Sequence, residues 1–181
     1  MLARMSAPSN PTALLDEVKR RLEAGSGSLE SLLSALDAVL EGFAGSVGTI
    51  HALPEGSSVL ELRAQRGIPP SILEKVSRVP VGKGMAGLAA ERREPVQVCN
   101  LQTDSSGVAR PAARETGMRG SIALPMLAGG AVLGVLGVGK GAEHEFGPEE
   151  IALLERLAAL FAGHLACYPA DGPTVSCPPS G

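Results

Sequence analysis

Apolar positions along this chain change period at defined points, and each change marks an element. Leu14, Leu15, Val18 and Leu22 recur at three- and four-residue steps, which puts them on one face of a helix. Asn10 is placed to cap that helix, and Pro11 suits its first position, where a missing N–H removes nothing. Gly25-Ser26-Gly27 ends it. A second helix is predicted from Ser28, with Leu29, Leu32, Leu33, Leu36, Val39, Leu40 and Phe43 at helical spacing.

After Gly45 the period shortens to two. Val47 to Leu53 and Val59 to Gln65 read as strands around the turn-rich segment 54–58. Pro69-Pro70 predicts the start of a short helix carrying Ile72, Leu73 and Val76. Val79-Pro80-Val81 leads into Gly82-Lys83-Gly84-Met85-Ala86-Gly87, a helical turn follows to Glu91, and Val96 to Val98 is a short strand. Residues 100–119 are polar and aperiodic, with a helical turn predicted around 111–116. A connection of that length in a compact domain is often the functional one. Gly147-Pro148-Glu149-Glu150 predicts the start of a last helix, its acids suiting the positive end of the dipole.

The uncharged stretch 121–139 has about the length that crosses a bilayer, but Pro125 interrupts it and Gly129-Gly130 divides it. It therefore predicts a β-hairpin, 122–127 and 131–138, and no membrane span. Residues 1–9 read as a flexible arm, 10–167 as one domain, and 168–181, rich in Pro and Gly, as a disordered tail.

Composition narrows the function classes. With aromatics at 2% and no Trp, the core is aliphatic and a base-stacking platform has almost no rings to use. A net charge of −3 argues against a nucleic-acid partner, which calls for a basic stripe. The 3 cysteines, Cys99, Cys167 and Cys177, form no C-x-x-C pair, which fits reduced thiols and a cytoplasmic location. His51, His144 and His164 show no ligand spacing, so no metal is expected. No catalytic residues and no cofactor are expected either.

Two phosphate-loop patterns occur and neither has its context. Gly82, Gly84 and Gly87 fit G-x-G-x-x-G, with Asp104 about 20 residues on. The strand before them is short, however, contains Pro80, and follows two helices and a hairpin. Gly134 to Lys140 mimics a P-loop, yet its middle residues are Val-Leu-Gly-Val inside a predicted strand. There the backbone N–H groups are already committed to neighbouring strands.

Five separated segments, taken in order, resemble the GAF domain family. They are residues 79–90 (Val-Pro-Val-Gly-Lys-Gly-Met-Ala-Gly-Leu-Ala-Ala), 94–98 (Glu-Pro-Val-Gln-Val), 119–126 (Arg-Gly-Ser-Ile-Ala-Leu-Pro-Met), 130–138, and 146–150 (Phe-Gly-Pro-Glu-Glu). The likeness covers roughly residues 28–166. It implies an α+β fold: a central antiparallel sheet, the N-terminal and C-terminal helices layered on one face, and a ligand pocket under loops and short helices on the other. It does not imply one chemistry. The Asn-Lys…Phe-Asp-Glu signature of cyclic-nucleotide-binding members is missing. Cys99 is followed by Asn100, unlike the Cys-His of bilin-binding members. Members that reduce free methionine sulfoxide use several cysteines near the pocket, whereas only Cys99 is near the expected one here.

The expected pocket takes in Met85, Leu88, Val98, Met118, Ile122 and Leu124 as apolar lining or filling. Asp104, Arg110, Arg114, Glu115 and Arg119 are candidate polar contacts on a loop that could equally be solvated. Cys99 is a packing residue or a pocket thiol. On the last helix, Ile151, Leu154, Ala158, Phe161 and Leu165 form a stripe assigned to the sheet. Leu153, Leu157, Leu160 and His164 form a second, which meets either the N-terminal helices or a second copy in a homodimer. The expected function is a sensory or regulatory module that binds a small molecule or signals to a protein partner. A ligand-free interaction module and a small redox enzyme of the free methionine sulfoxide reductase kind are the alternatives.

Overall fold

The computed structural model describes residues 8–25 and 27–167. The predicted tail 168–181, with Cys177, and residues 1–7 of the predicted arm lie outside them. Elements run α1 (Pro11–Ala24), α2 (Leu29–Phe43), β1 (Val47–Ala52), β2 (Val59–Arg66), α3 (Pro70–Ser77), β3 (Arg78–Pro80), α4 (Gly84–Arg92), β4 (Val96–Val98), α5 (Pro111–Arg114), β5 (Ser121–Ala128), β6 (Ala131–Gly139) and α6 (Pro148–Cys167). The caps read from sequence are in place. Asn10 accepts from the Ala13 N–H at 3.0 Å, and Ser28 accepts from the Ser31 N–H at 3.2 Å.

The strands form one antiparallel sheet in the order β3-β2-β1-β6-β5-β4. The hairpin predicted at 122–138 is β5–β6, and its two turn residues, Gly129 and Gly130, have φ of 56° and 80°. Two consecutive positive φ values make the tight turn that matches strand twist. Pro125 is tolerated within β5 because β4 pairs only as far as Ala123.

One sheet face is covered by helices. Ile50, Ala64, Leu124, Met126, Leu136 and Val138 point into a core shared with α2 and α6. α2 packs over β1 and β2 and α6 over β5 and β6, while α1 packs against both helices rather than the sheet. This placement decides the question of the second stripe on α6. Leu153, Leu157 and His164 are 4%, 0% and 9% exposed within the single chain, and only Leu160 stays half-buried. The two stripes are adjacent halves of one broad face wedged between the sheet and α1. The seam expected for a homodimer is thus already filled by this chain's own helix.

Both phosphate-loop patterns resolve into backbone geometry. Gly82 and Gly84 take φ of 81° and 65° in the turn from β3 into α4, conformations that glycine adopts without strain. A Cβ on Gly87 would lie 2.2 Å from the Pro80 carbonyl oxygen. Gly134 to Gly139 lie inside β6, flanked by β1 and β5.

Candidate ligand-binding cavity

The other sheet face carries α4 at one end, where Leu60, Ala89, Ala90, Ala123 and Val135 form a second apolar cluster. Beside it lies a cavity of about 560 Å³. Its floor is a row of small side chains in register. Thr49 pairs with Gly137, which pairs with Ala123, and Val47 pairs with Gly139, which pairs with Ser121. Two glycines, an alanine and a serine at the centre of the sheet leave room for the volume above them. α3, the first turn of α4, and the segment from Arg110 to Met118 make the walls. Volume and mostly apolar lining fall within the range of small-molecule sites.

Five of the expected pocket residues border this space: Met85, Arg110, Glu115, Met118 and Ile122. Ile122 does so from the strand, since its side chain belongs to the helix-side core. The others lie elsewhere, each for a visible reason. Leu124 alternates onto the helix side and is fully buried there. Leu88 packs in the α4 cluster, and Val98 packs with Leu101 and Ala109. Cys99 is exposed and lines nothing. Asp104 serves its own loop: its Oδ1 accepts from the Ser106 hydroxyl at 2.7 Å, a bond that holds its carboxyl below the ordinary range. Arg114 donates to the Asp104 carbonyl, and the exposed Arg119 joins the main-chain pairing, its N–H donating to the Lys140 carbonyl at 2.9 Å.

Sequence reading gave His51 no role, yet the structure puts it in the lining. It shares the cavity face of β1 with Val47 and Thr49, and is 3% exposed. Its Nε2–H donates to the Val76 carbonyl at 2.9 Å, which leaves Nδ1 as a buried acceptor without a partner. Burial holds the imidazole below its ordinary pKa of 6.5. The unfolded chain therefore takes up this proton first as pH falls. Stability is complete above 6.5 and declines as pH drops towards the folded value. Urea midpoints are expected to fall between neutrality and mild acid, and less so in His51→Gln, whose amide can still donate to Val76. An identical slope in the variant would remove His51 as the cause. Buried His164 is shifted the same way and accounts for the remainder.

At the mouth, Lys75 of α3 and Glu115 just after α5 are bridged at 2.9 and 3.0 Å. Arg110, also in the lining, has no acidic partner among the described residues.

With this geometry, known proteins can be compared directly. The sequence profile of the GAF domain matches residues 28–166. The chain belongs to the GAF domain family. No curated protein matches its sequence. Among solved structures, this GAF domain resembles that of a phosphoenolpyruvate-protein phosphotransferase from Coxiella burnetii. The TM-score is 0.76 at 23% identity, over 89% of this chain and 95% of that one. The corresponding domain from Acinetobacter gives 0.70 at 24%, over 90% and 98%. A free methionine-R-sulfoxide reductase from Neisseria meningitidis, in complex with its substrate, gives 0.72 at 17%, over 86% and 88%. At these identities the likeness establishes the fold, which the two phosphotransferase domains and the reductase share.

Among the described residues, no helix is long and apolar enough to cross a membrane. None of their His, Cys, Asp and Glu side chains gather in threes that could hold a metal ion.

Proposed function

We propose that this GAF domain is a sensory or regulatory module that binds a small molecule in the cavity beneath α3 and α5. Occupancy would be relayed to a partner protein. The observation that carries this reading is the floor of small residues, Thr49, Ser121, Ala123, Gly137 and Gly139, which keeps open a volume that larger aliphatic residues would close. Interiors are otherwise packed to crystal-like density, so an open space of this size needs an occupant to justify it. A pure interaction module would have no use for it. A thiol-dependent reductase is less well supported, because Cys99 is exposed and outside the lining.

The test is to fill the space. Thr49→Met and Ala113→Met together add bulk from the floor and from α5. The neutral fluorophore N-phenylnaphthylamine is expected to brighten on binding the wild-type protein and not the double variant. The variant should melt no lower than the wild type, since it fills a void. Equal binding by both proteins overturns the reading, as does a wild type that binds neither this probe nor its anionic analogue anilinonaphthalene sulfonate.

A further inference from the structure

We infer that the cavity takes small organic anions, seated with the acid group at the mouth against Arg110 and the first turn of α4. This rests on the cavity being a ligand site, and concerns which chemistry it selects.

The charge inventory of the lining carries the inference. Lys75 and Glu115 neutralise each other across the mouth. His51, deep in the lining, is held neutral by burial. That leaves Arg110 as the one lining charge without a counterion among the described residues. Its position sharpens the point. Gly84, the first residue of α4, has no side chain, and the Arg110 stem lies over it: a Cβ there would sit 2.9 Å from Arg110 Cδ. Gly84, Met85 and Ala86 all line the cavity. They are the opening turn of a nine-residue helix whose N-cap, Lys83, makes no side-chain capping bond. Their N–H groups have no partner within the helix.

A guanidinium beside a helix N-terminus sets positive charge against the positive end of a dipole. An arrangement that keeps both is short of an anion. The nearby acid, Glu91, lies beside Gly82 and outside the lining. A carboxylate, sulfonate or phosphate at this corner would meet Arg110 and the free N–H groups together. The apolar body would extend over the small-residue floor. His51 Nδ1, buried and unpartnered in the same lining, offers an uncharged acceptor to the inner part of the ligand. A second charge on the ligand would have no partner at that inner end, which favours monoanions.

Two fluorophores that differ by one acid group test this. Anilinonaphthalene sulfonate and N-phenylnaphthylamine share a ring system, and only the first is an anion. Wild-type protein is expected to bind the sulfonate about tenfold more tightly than the neutral compound, the scale of one charge-assisted contact at a partly exposed site. Arg110→Gln is expected to erase that preference without changing neutral-probe affinity, and Arg110→Lys to restore part of it. Arg156→Gln, on the exposed face of α6, should change neither affinity. No preference in the wild type, or a preference that survives Arg110→Gln or is lost equally in Arg156→Gln, overturns the inference while leaving the cavity reading intact. Failure of both probes to bind the wild type overturns both.

Discussion

Leu157→Glu is expected to unfold this domain rather than to release a folded monomer. Leu157 is 0% exposed, in the apolar core that the sheet, α1 and α2 share. Deleting a buried leucine side chain typically costs about 2–5 kcal/mol. A carboxylate in its place adds several more, because among apolar neighbours the group must stay unpaired or take up a proton. Whole domains are stable by only about 5–15 kcal/mol, so the substitution removes most of the margin. Circular dichroism should show loss of the cooperative melt at neutral pH. Leu160→Glu is the control: half-buried at the edge of the same face, it should leave a folded protein with a modest loss. If Leu157→Glu instead gave a wild-type melt, α1 would not occupy the place described here.

That contrast shows where the sequence stopped being informative. Periodicity along α6 marks its apolar positions, because residues three and four apart must share a face. Whether the second stripe met α1 or another copy depended on how the α1–α2 pair docks, and no local pattern encodes that. The strands behaved alike. Turn glycines, the change of period and the caps of α1 and α2 were legible, since each is a local requirement of backbone geometry. The cavity was legible as a location, under the aperiodic segment 100–119, but not as a residue set. Polarity within that segment and its neighbours does not tell which side chains reach the space. The residues that open the space are small ones on three strands: Thr49, Gly137 and Gly139, Ser121 and Ala123. Each strand's alternation could be read alone. Their alignment needs the order β1-β6-β5, which places strands far apart in sequence side by side. Leu124 faces the helices for a simpler reason. It shares parity with Met126 rather than with Ser121 and Ala123, and period-two counting along β5 already separates the two sets.

Glu150→Gln is expected to be among the most damaging single changes away from the cavity, and pH should reveal why. Lys140, directly after β6, and Glu150, in the first turn of α6, are 5% and 6% exposed, with Nζ and Oε1 3.8 Å apart. His144 Nε2 donates to the same carboxylate, 3.0 Å from each oxygen. The Gly147 N–H donates to Oε2 at 3.0 Å, closing the start of the helix. Phe146 lies edge-on to His144 and within 5.4 Å of Nζ. Its backbone is held by Gln97, which ties the cluster to β4. Three groups, the Lys140 ammonium, the His144 ring and the Gly147 N–H, therefore depend on one carboxylate, and removing a partner from a buried pair costs about 3–5 kcal/mol. The glutamine can keep some of the hydrogen bonds but cannot balance the ammonium. Burial already holds Lys140 below its ordinary value of 10.5, and the carboxylate is the influence that raises it. Without Glu150 the folded-state value drops further, while the unfolded value stays put. The unfolded chain then binds the proton more readily, so the variant is penalised at neutral pH and recovers as pH climbs through the lowered value. The difference in unfolding free energy between wild type and Glu150→Gln should thus be largest near pH 7 and shrink as pH approaches 10.5. Glu150→Gln combined with Lys140→Met, which removes both charges, should regain much of the loss at neutral pH. A difference that does not vary with pH, and a double variant no better than the single, would mean that Glu150 acts through its hydrogen bonds alone and that the Lys140 charge is satisfied without it.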